Sequence, residues 1–204
     1  SRDGRVAIDV TGPKQPGPQR VAFVVAGDGS QAASTLWVVA PETRAVIFDI
    51  DGTLTVGDEV LADQLVHGIS PAPRAGAVAA AAAFAAKGQL VIYLTGRPDF
   101  LGEMTRRWLA DHGFPSGPVL MTTTSAASVP SRDGVQRFKT DRLRAIKALG
   151  VSIERAYGNA PTDICAYAEA GIAPAATFIL GPHGGEACAG HAATVALGEG
   201  YPAP

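Results

Sequence analysis

The chain has 204 residues, with 17 Lys and Arg against 19 Asp and Glu for a net charge of −2, 47% hydrophobic and 18% charged residues. This composition excludes a disordered or collagen-like chain, and the near-neutral charge gives neither the basic face of a non-specific nucleic-acid binder nor a patch that would hold an anionic membrane by charge alone. The length suits one domain of moderate size, or one domain plus a small appendage. The longest apolar run, Ala75 to Ala86, is mostly Ala and much shorter than the roughly 20 residues of a membrane span, so no transmembrane helix is expected. The chain starts at Ser1, which says little about targeting; the compartment stays open between soluble and peripheral membrane.

In chain order, residues 5 to 40 read as short β-runs, RVAIDV, RVAFVVAG and STLWVVA, broken by the Gly/Pro-rich stretch Thr11 to Gln19 and the turn Gly27-Asp28-Gly29-Ser30. Residues 1–43 are therefore a β-rich lead-in. From Arg44 apolar strands alternate with helical stretches: AVIFDI, Pro73 to Lys87, QLVIYLTG, Asp99 to His112, PVLMTTT, Thr140 to Leu149, RAYGN, Thr162 to Glu169 and ATFIL. Such alternation implies an α/β fold, a parallel sheet covered by helices on both faces, over residues 44–204. Lys87-Gly88 supplies a cation and a C′ glycine to stop the Ala-rich helix. Cys165 and Cys188 are too few and too isolated for a disulfide framework or a zinc cluster and read as two ordinary thiols. His67, His112, His183 and His191 show no ligand spacing. Trp37 and Trp108 read as core or interface residues, with Phe114-Pro115 the nearest candidate for a lipid-facing mouth.

Chemistry concentrates where strands end. In Asp49-Ile50-Asp51-Gly52-Thr53-Leu54-Thr55 two carboxylates leave the carboxyl end of a buried strand, where open α/β sheets place their sites. Two acids there require a partner, and a hard divalent cation such as Mg²⁺, which takes oxygen ligands, fits. Asp49 can then attack a phosphate as nucleophile, and Asp51, two positions on, can give a proton to the leaving oxygen and later take one from water. Thr95-Gly96 ends the strand QLVIYLTG and offers a hydroxyl and backbone N–H groups to a phosphoryl oxygen. Lys139, in FKTD at the expected opening of a helix, can neutralise charge on that phosphoryl group, with Lys147 in reserve. Asn159 and Asp163, in GNAPTD at a strand-to-helix junction, can project towards one metal together with Asp49 and the carbonyl of Asp51.

The order DxDGT, Thr-Gly, Lys, GNxxxD resembles that of the haloacid dehalogenase-like superfamily of aspartyl-phosphate phosphatases. Residues 44–204 are more closely similar to the LNS2 domain of lipins and of membrane-associated phosphatidylinositol-transfer proteins, through FDIDGTLT, VIYLTGRPDFL, RRWLADHGFP, FKTDRL, AYGNAPTDICAY and the terminal EGY. The resemblance implies a Rossmann-like, capless catalytic domain and a magnesium-dependent phosphatase of phosphatidic acid type, or a phosphatidate-binding relative. The transfer-protein branch typically lacks the first Asp and is read as a lipid sensor; this chain keeps Asp49, which favours catalysis. The N-terminal residues show no counterpart of the lipins' amphipathic membrane helix.

About 40 residues separate Thr55 from Thr95, mostly one helix and one strand, which leaves no room for a cap domain. A capless site admits a phosphate carried on something large, and the loops Val56 to Pro71 and Thr122 to Gln136 are expected to shape its mouth. The expected function is hydrolysis of a phosphate monoester, phosphatidate to diacylglycerol foremost, on a lipid headgroup or other large phosphomonoester met by peripheral membrane contact. The alternatives are a phosphatidate-binding module without useful turnover and a polynucleotide-end phosphatase, the latter disfavoured by the lack of a basic face.

Overall fold

The computed structural model describes residues 9, 11, 15–57, 70–123 and 131–202. RVAIDV, apart from Asp9, the greater part of the loop Val56 to Pro71, residues 124–130 and His67 lie outside the described residues. Internal contacts divide the chain into a unit of residues 1–40 and a unit of residues 41–204.

The first unit is an antiparallel hairpin of β1 (Gly17–Val24) and β2 (Gln31–Val38), registered from Gly17 opposite Val38 to Val24 opposite Gln31. Its turn is closed by the Val25 N–H on Ser30 O and the Ser30 N–H on the Asp28 carboxylate, with Gly29 at φ 71° where a left-handed residue is needed.

The second unit carries a six-stranded parallel sheet of order β5-β4-β3-β6-β7-β8. Its strands are β3 (Arg44–Phe48), β4 (Leu90–Pro98), β5 (Val119–Thr122), β6 (Ser152–Gly158), β7 (Thr177–Leu180) and β8 (Val195–Gly198). The helices are α1 (Ala77–Ala86), α2 (Gly102–Asp111), α3 (Arg132–Ala148) and α4 (Pro161–Glu169). From β3 the chain runs outward through β4 to β5, then returns to β6 on the other side of β3. The strand order reverses between β3 and β6, and the crevice at their carboxyl ends is where a ligand site belongs in such a sheet. β3 reads as an uninterrupted apolar run because both its faces are covered; residues 45–48 are buried. Phe48, Tyr157 and Phe178 stack across β3, β6 and β7, with centroids 4.7 and 5.1 Å apart, and Tyr201 closes on Tyr157 at 5.5 Å. This aromatic layer lies directly beneath the strand ends that carry Asp49 and Asn159.

Most expected elements are present, and four readings are corrected. FKTD does not open a helix: α3 begins at Arg132, capped by Ser131 Oγ on the Gly134 N–H, and Lys139 lies mid-helix. Residues 131–136 of the expected Thr122 to Gln136 loop accordingly belong to that cap and helix. Phe114 does not line a mouth; it is 7% exposed and packs on Trp108 and Tyr93. Cys165 of α4 and Cys188, in the β7–β8 connection, are joined in a disulfide, Cα to Cα 4.9 Å. Their sequence separation of 23 gave no sign that the polar β7–β8 connection folds back over α4. The short strand β8 was also unforeseen, because VALG carries too few residues to show a period.

Candidate active site

The turn that follows β3 is built around one carbonyl. Ile50 O accepts from the N–H groups of Thr53, Leu54 and Thr55, while Gly52, at φ 72°, gives its N–H to Thr55 Oγ1. The Asp49 N–H is bonded to Tyr157 O of β6, so hydrogen bonding to β6 continues one residue past the end of β3 before the chain turns. Two side chains brace this turn from outside: Arg74 Nη2 donates to Gly52 O at 2.7 Å, and the Tyr201 hydroxyl lies 3.4 Å from Thr53 O. Arg74 also donates to the carbonyl of Glu199, which ties the EGY segment to the same turn.

Asp163 is set by the junction of β6 and α4. Pro161 fits the first helical turn, and Asp163 Oδ2 accepts the N–H groups of Asn159 and Ala160, each at 3.1 Å. Gly158 is required there, since a Cβ on it would come within 2.5 Å of Asp163 Cβ. Lys139 reaches in from α3. Its ammonium donates to Asp49 Oδ1 and to Asp163 Oδ1, both at 2.6 Å, and it is only 3% exposed. Thr53 Oγ1 lies 3.1 Å from Asp49 Oδ2 and 3.0 Å from Asn159 Oδ1; its single proton can serve one of them at a time. Asp49, Lys139, Asn159 and Asp163 therefore form one cluster.

Two buried carboxylates against one ammonium leave a negative charge uncompensated. Burial, only partly offset by Lys139, pushes the Asp49 carboxyl up to about 7, with the neighbouring Asp163 and Asp51 charges adding to the rise. Burial also works against the Lys139 charge, but the Asp163 and Asp49 carboxylates outweigh it and hold the ammonium above the usual lysine range. The donor set is hard oxygen throughout: the carboxylates of Asp49 and Asp163, the Asn159 amide and the Asp51 carbonyl. Among the described residues no three His, Cys, Asp or Glu side chains converge as a ready-made cage. Oxygen donors suit Mg²⁺, which takes few protein ligands and keeps waters or substrate phosphate in the rest of its shell, and whose charge would relieve the uncompensated carboxylate.

Asp51 belongs to a second group. Its Oδ1 accepts from Arg97 Nη2 at 2.7 Å, and its Oδ2 from Arg97 Nε at 3.0 Å and from Thr95 Oγ1 at 3.2 Å. Thr95, expected to meet a phosphoryl oxygen, thus serves Asp51 and also accepts the Arg97 N–H at 3.1 Å. Gly96 lets α3 come close to the end of β4: a Cβ on it would lie 3.1 Å from Val135 Cγ1. The sequence reading missed Thr53, Arg74 and Arg97. For Arg97 a signal existed, since it stands two residues after Thr95 on one strand and period two puts both on one face.

If the cluster is a metal site, saturating Mg²⁺ at about 100 times its Kd should raise the unfolding free energy by roughly 2.7 kcal/mol. Because Asp49 must give up its proton to ligate, the gain should grow as pH rises through about 7. Asp163→Ala should lose it. Equal melting temperatures in Mg²⁺ and in chelator for the parent chain would rule the site out.

Comparison with known proteins agrees with this architecture. A HAD-like protein of Mesorhizobium loti superposes with a TM-score of 0.59 at 20% identity, over 91% of this chain and 88% of that one, and shows the haloacid dehalogenase-like fold. Membrane-associated phosphatidylinositol transfer protein 1 of Homo sapiens is 34% identical over 161 residues, 79% of this chain and 12% of that protein. Protein retinal degeneration B of Drosophila melanogaster is 35% identical over 164 residues, 80% of this chain and 12% of that protein. The chain thus spans about an eighth of the length of these curated relatives. The family model described as the LNS2 domain of PITM 1-3 matches residues 46–181, from within β3 to just past β7, and the chain belongs to that LNS2 family.

Proposed function

We propose that residues 44–204 form a Mg²⁺-dependent phosphomonoesterase that works through a phosphorylated Asp49, with phosphatidate, hydrolysed to diacylglycerol, as the favoured substrate. The observation that carries this reading is the convergence of Asp49, Lys139 and Asp163 at the carboxyl ends of β3 and β6, with Asp51 held alongside by Thr95 and Arg97. Asp49, Asp163, Asn159 and the Asp51 carbonyl would hold Mg²⁺. The ion would offset the repulsion between a phosphate dianion and an attacking carboxylate.

In the first step an oxygen of Asp49 attacks phosphorus, the ester P–O bond breaks, and the departing oxygen takes a proton from Asp51. In the second step water attacks the phosphorylated Asp49, giving its proton to Asp51, and phosphate leaves as the Asp49 carboxylate is restored. Lys139, and the Thr95 hydroxyl once it turns from Asp51, meet charge on the equatorial phosphoryl oxygens; Gly96 adds a backbone N–H.

A large substrate is supported by the ends of β3 and β4. Val56, just past the Asp51 turn, and Phe100, just past β4, are each 59% exposed, and apolar side chains in that position suit the surface of a bilayer. No described helix is long and apolar enough to cross a membrane, so contact of this kind would be peripheral. The test is phosphate release with Mg²⁺ and with chelator from dispersed phosphatidate, inositol phosphates and polynucleotide ends. Release from phosphatidate alone supports the proposal. Mg²⁺-independent binding of phosphatidate vesicles without release would make the chain a lipid-sensing module, and release from polynucleotide ends would reassign the substrate.

A further inference from the structure

Two acids share the turn after β3, yet they are served by different cations. Lys139 presents a point charge to Asp49 and Asp163. Arg97 presents a planar fork to Asp51: Nη2 and Nε approach Oδ1 at 2.7 and 3.1 Å, and Nε approaches Oδ2 at 3.0 Å. A fork of this kind fixes the plane of a carboxylate as well as its position, which a lysine cannot do. Arg97 is itself fixed. It is 1% exposed, and its third nitrogen, Nη1, donates to Thr105 Oγ1 of α2 at 3.2 Å. Thr105 is fully buried, so the guanidinium is anchored on a helix and has little freedom to swing towards a substrate. The Asp51 side chain is 23% exposed, so the same carboxylate held from beneath is open to solvent above.

We propose that Arg97 is the positioning residue for Asp51, and that Thr105 anchors it in turn; the inference rests on the phosphatase reading above. Each of the three guanidinium nitrogens has a protein partner and the side chain is buried, which assigns Arg97 to act through Asp51. The fork holds the Asp51 carboxyl in one plane and one place, with its exposed side open to a reacting oxygen.

A residue that acts through a proton donor matters only where the leaving group needs the proton. The test compares kcat/KM, which covers the steps up to phosphorylation of Asp49, for phenyl phosphate and for 2,4-dinitrophenyl phosphate, whose departing phenolate needs no protonation. Arg97→Met should lose about 10- to 100-fold on phenyl phosphate, within the roughly 10²–10⁴ that general acid–base catalysis contributes. On the dinitrophenyl ester the loss should stay within about threefold, and Asp51→Asn should show the same contrast. The double variant should be no worse than Asp51→Asn alone, since the two residues act as one unit. Arg97→Lys should recover only part of the activity.

Should Arg97→Met fail to fold, Thr105→Val, which keeps the shape of the side chain and removes the anchor, should still give a several-fold loss confined to phenyl phosphate. The Mg²⁺-induced rise in melting temperature should persist in every variant that folds. Equal losses on the two esters, or multiplying losses in the double variant, would overturn the proposal. A parent chain that releases phosphate from neither ester with Mg²⁺ would bring down the phosphatase reading and this inference together, whereas an active parent with indifferent Arg97 variants would bring down this inference alone.

Discussion

Asp49→Asn is expected to lower turnover by at least about 10³-fold, more than the loss of any single stabilising donor, because the amide cannot form the covalent intermediate. Asn is nearly the same size, so the turn built on Ile50 O and the contact with Thr53 should survive, and the variant should fold. A second signature separates this substitution from general damage. The Asp49 carboxyl is pushed up to about 7 by burial, whereas an unfolded chain releases that proton near 3.9. Between about pH 4 and 7 the metal-free native state therefore binds a proton that the unfolded state has lost, and Asp49 makes stability fall as pH rises through that window. Asp49→Asn removes this contribution. Thermal melts in chelator across that range should show the variant gaining on the parent as pH increases. Near-normal turnover by Asp49→Asn would end the aspartyl-phosphate mechanism, and parallel pH profiles would mean that Asp49 is not buried with its proton.

The sheet was legible because β3, β4 and β6 are short apolar runs that each end in a polar motif, and the reversal of strand order brings the motifs after β3 and β6 side by side. What could be read was the place of each polar motif in the chain, such as DIDGT after the strand AVIF or GNAPTD at a strand-to-helix junction. What could not be read was which cation serves which acid. Lys139 had been expected at a helix start; in the middle of α3 its long stem brings the ammonium between Asp49 and Asp163, which a helix N-terminus would have left to backbone N–H groups. Arg97 follows Thr95-Gly96 with nothing in the sequence to name its partner, and only pairing of β4 with β3 puts its guanidinium against Asp51. The Cys165–Cys188 link and the brace from Arg74 to Glu199 both depend on where the polar stretches after β7 and β8 return, and those stretches carry no periodic signal.

Lys139→Ala is the other substitution with a large expected effect, and it acts on stability and chemistry together. Without the ammonium, Asp49 and Asp163 face each other in a buried pocket, and breaking a buried ion pair by removing one partner costs about 3–5 kcal/mol. In chelator the variant should therefore melt well below the parent. Added Mg²⁺ should recover part of the deficit, because a bound cation neutralises the same two carboxylates. Turnover should not recover with it: a phosphoryl group in transfer spreads charge over three equatorial oxygens, and loss of one fixed donor there costs about 10²–10³ in kcat. The loss should be the same for a small soluble ester and for phosphatidate in vesicles. Phe100→Ala supplies the contrast, since an exposed side chain past β4 should matter only when the substrate sits in a bilayer. Phosphate release measured for both variants on both substrate forms decides between these roles. If Lys139→Ala were impaired on vesicles alone, Lys139 would be a headgroup contact and the phosphoryl cation would have to be sought elsewhere. Lys147 would not supply it, because its ammonium is already committed to the carbonyls of Ala170 and Gly171 just past the carboxyl end of α4.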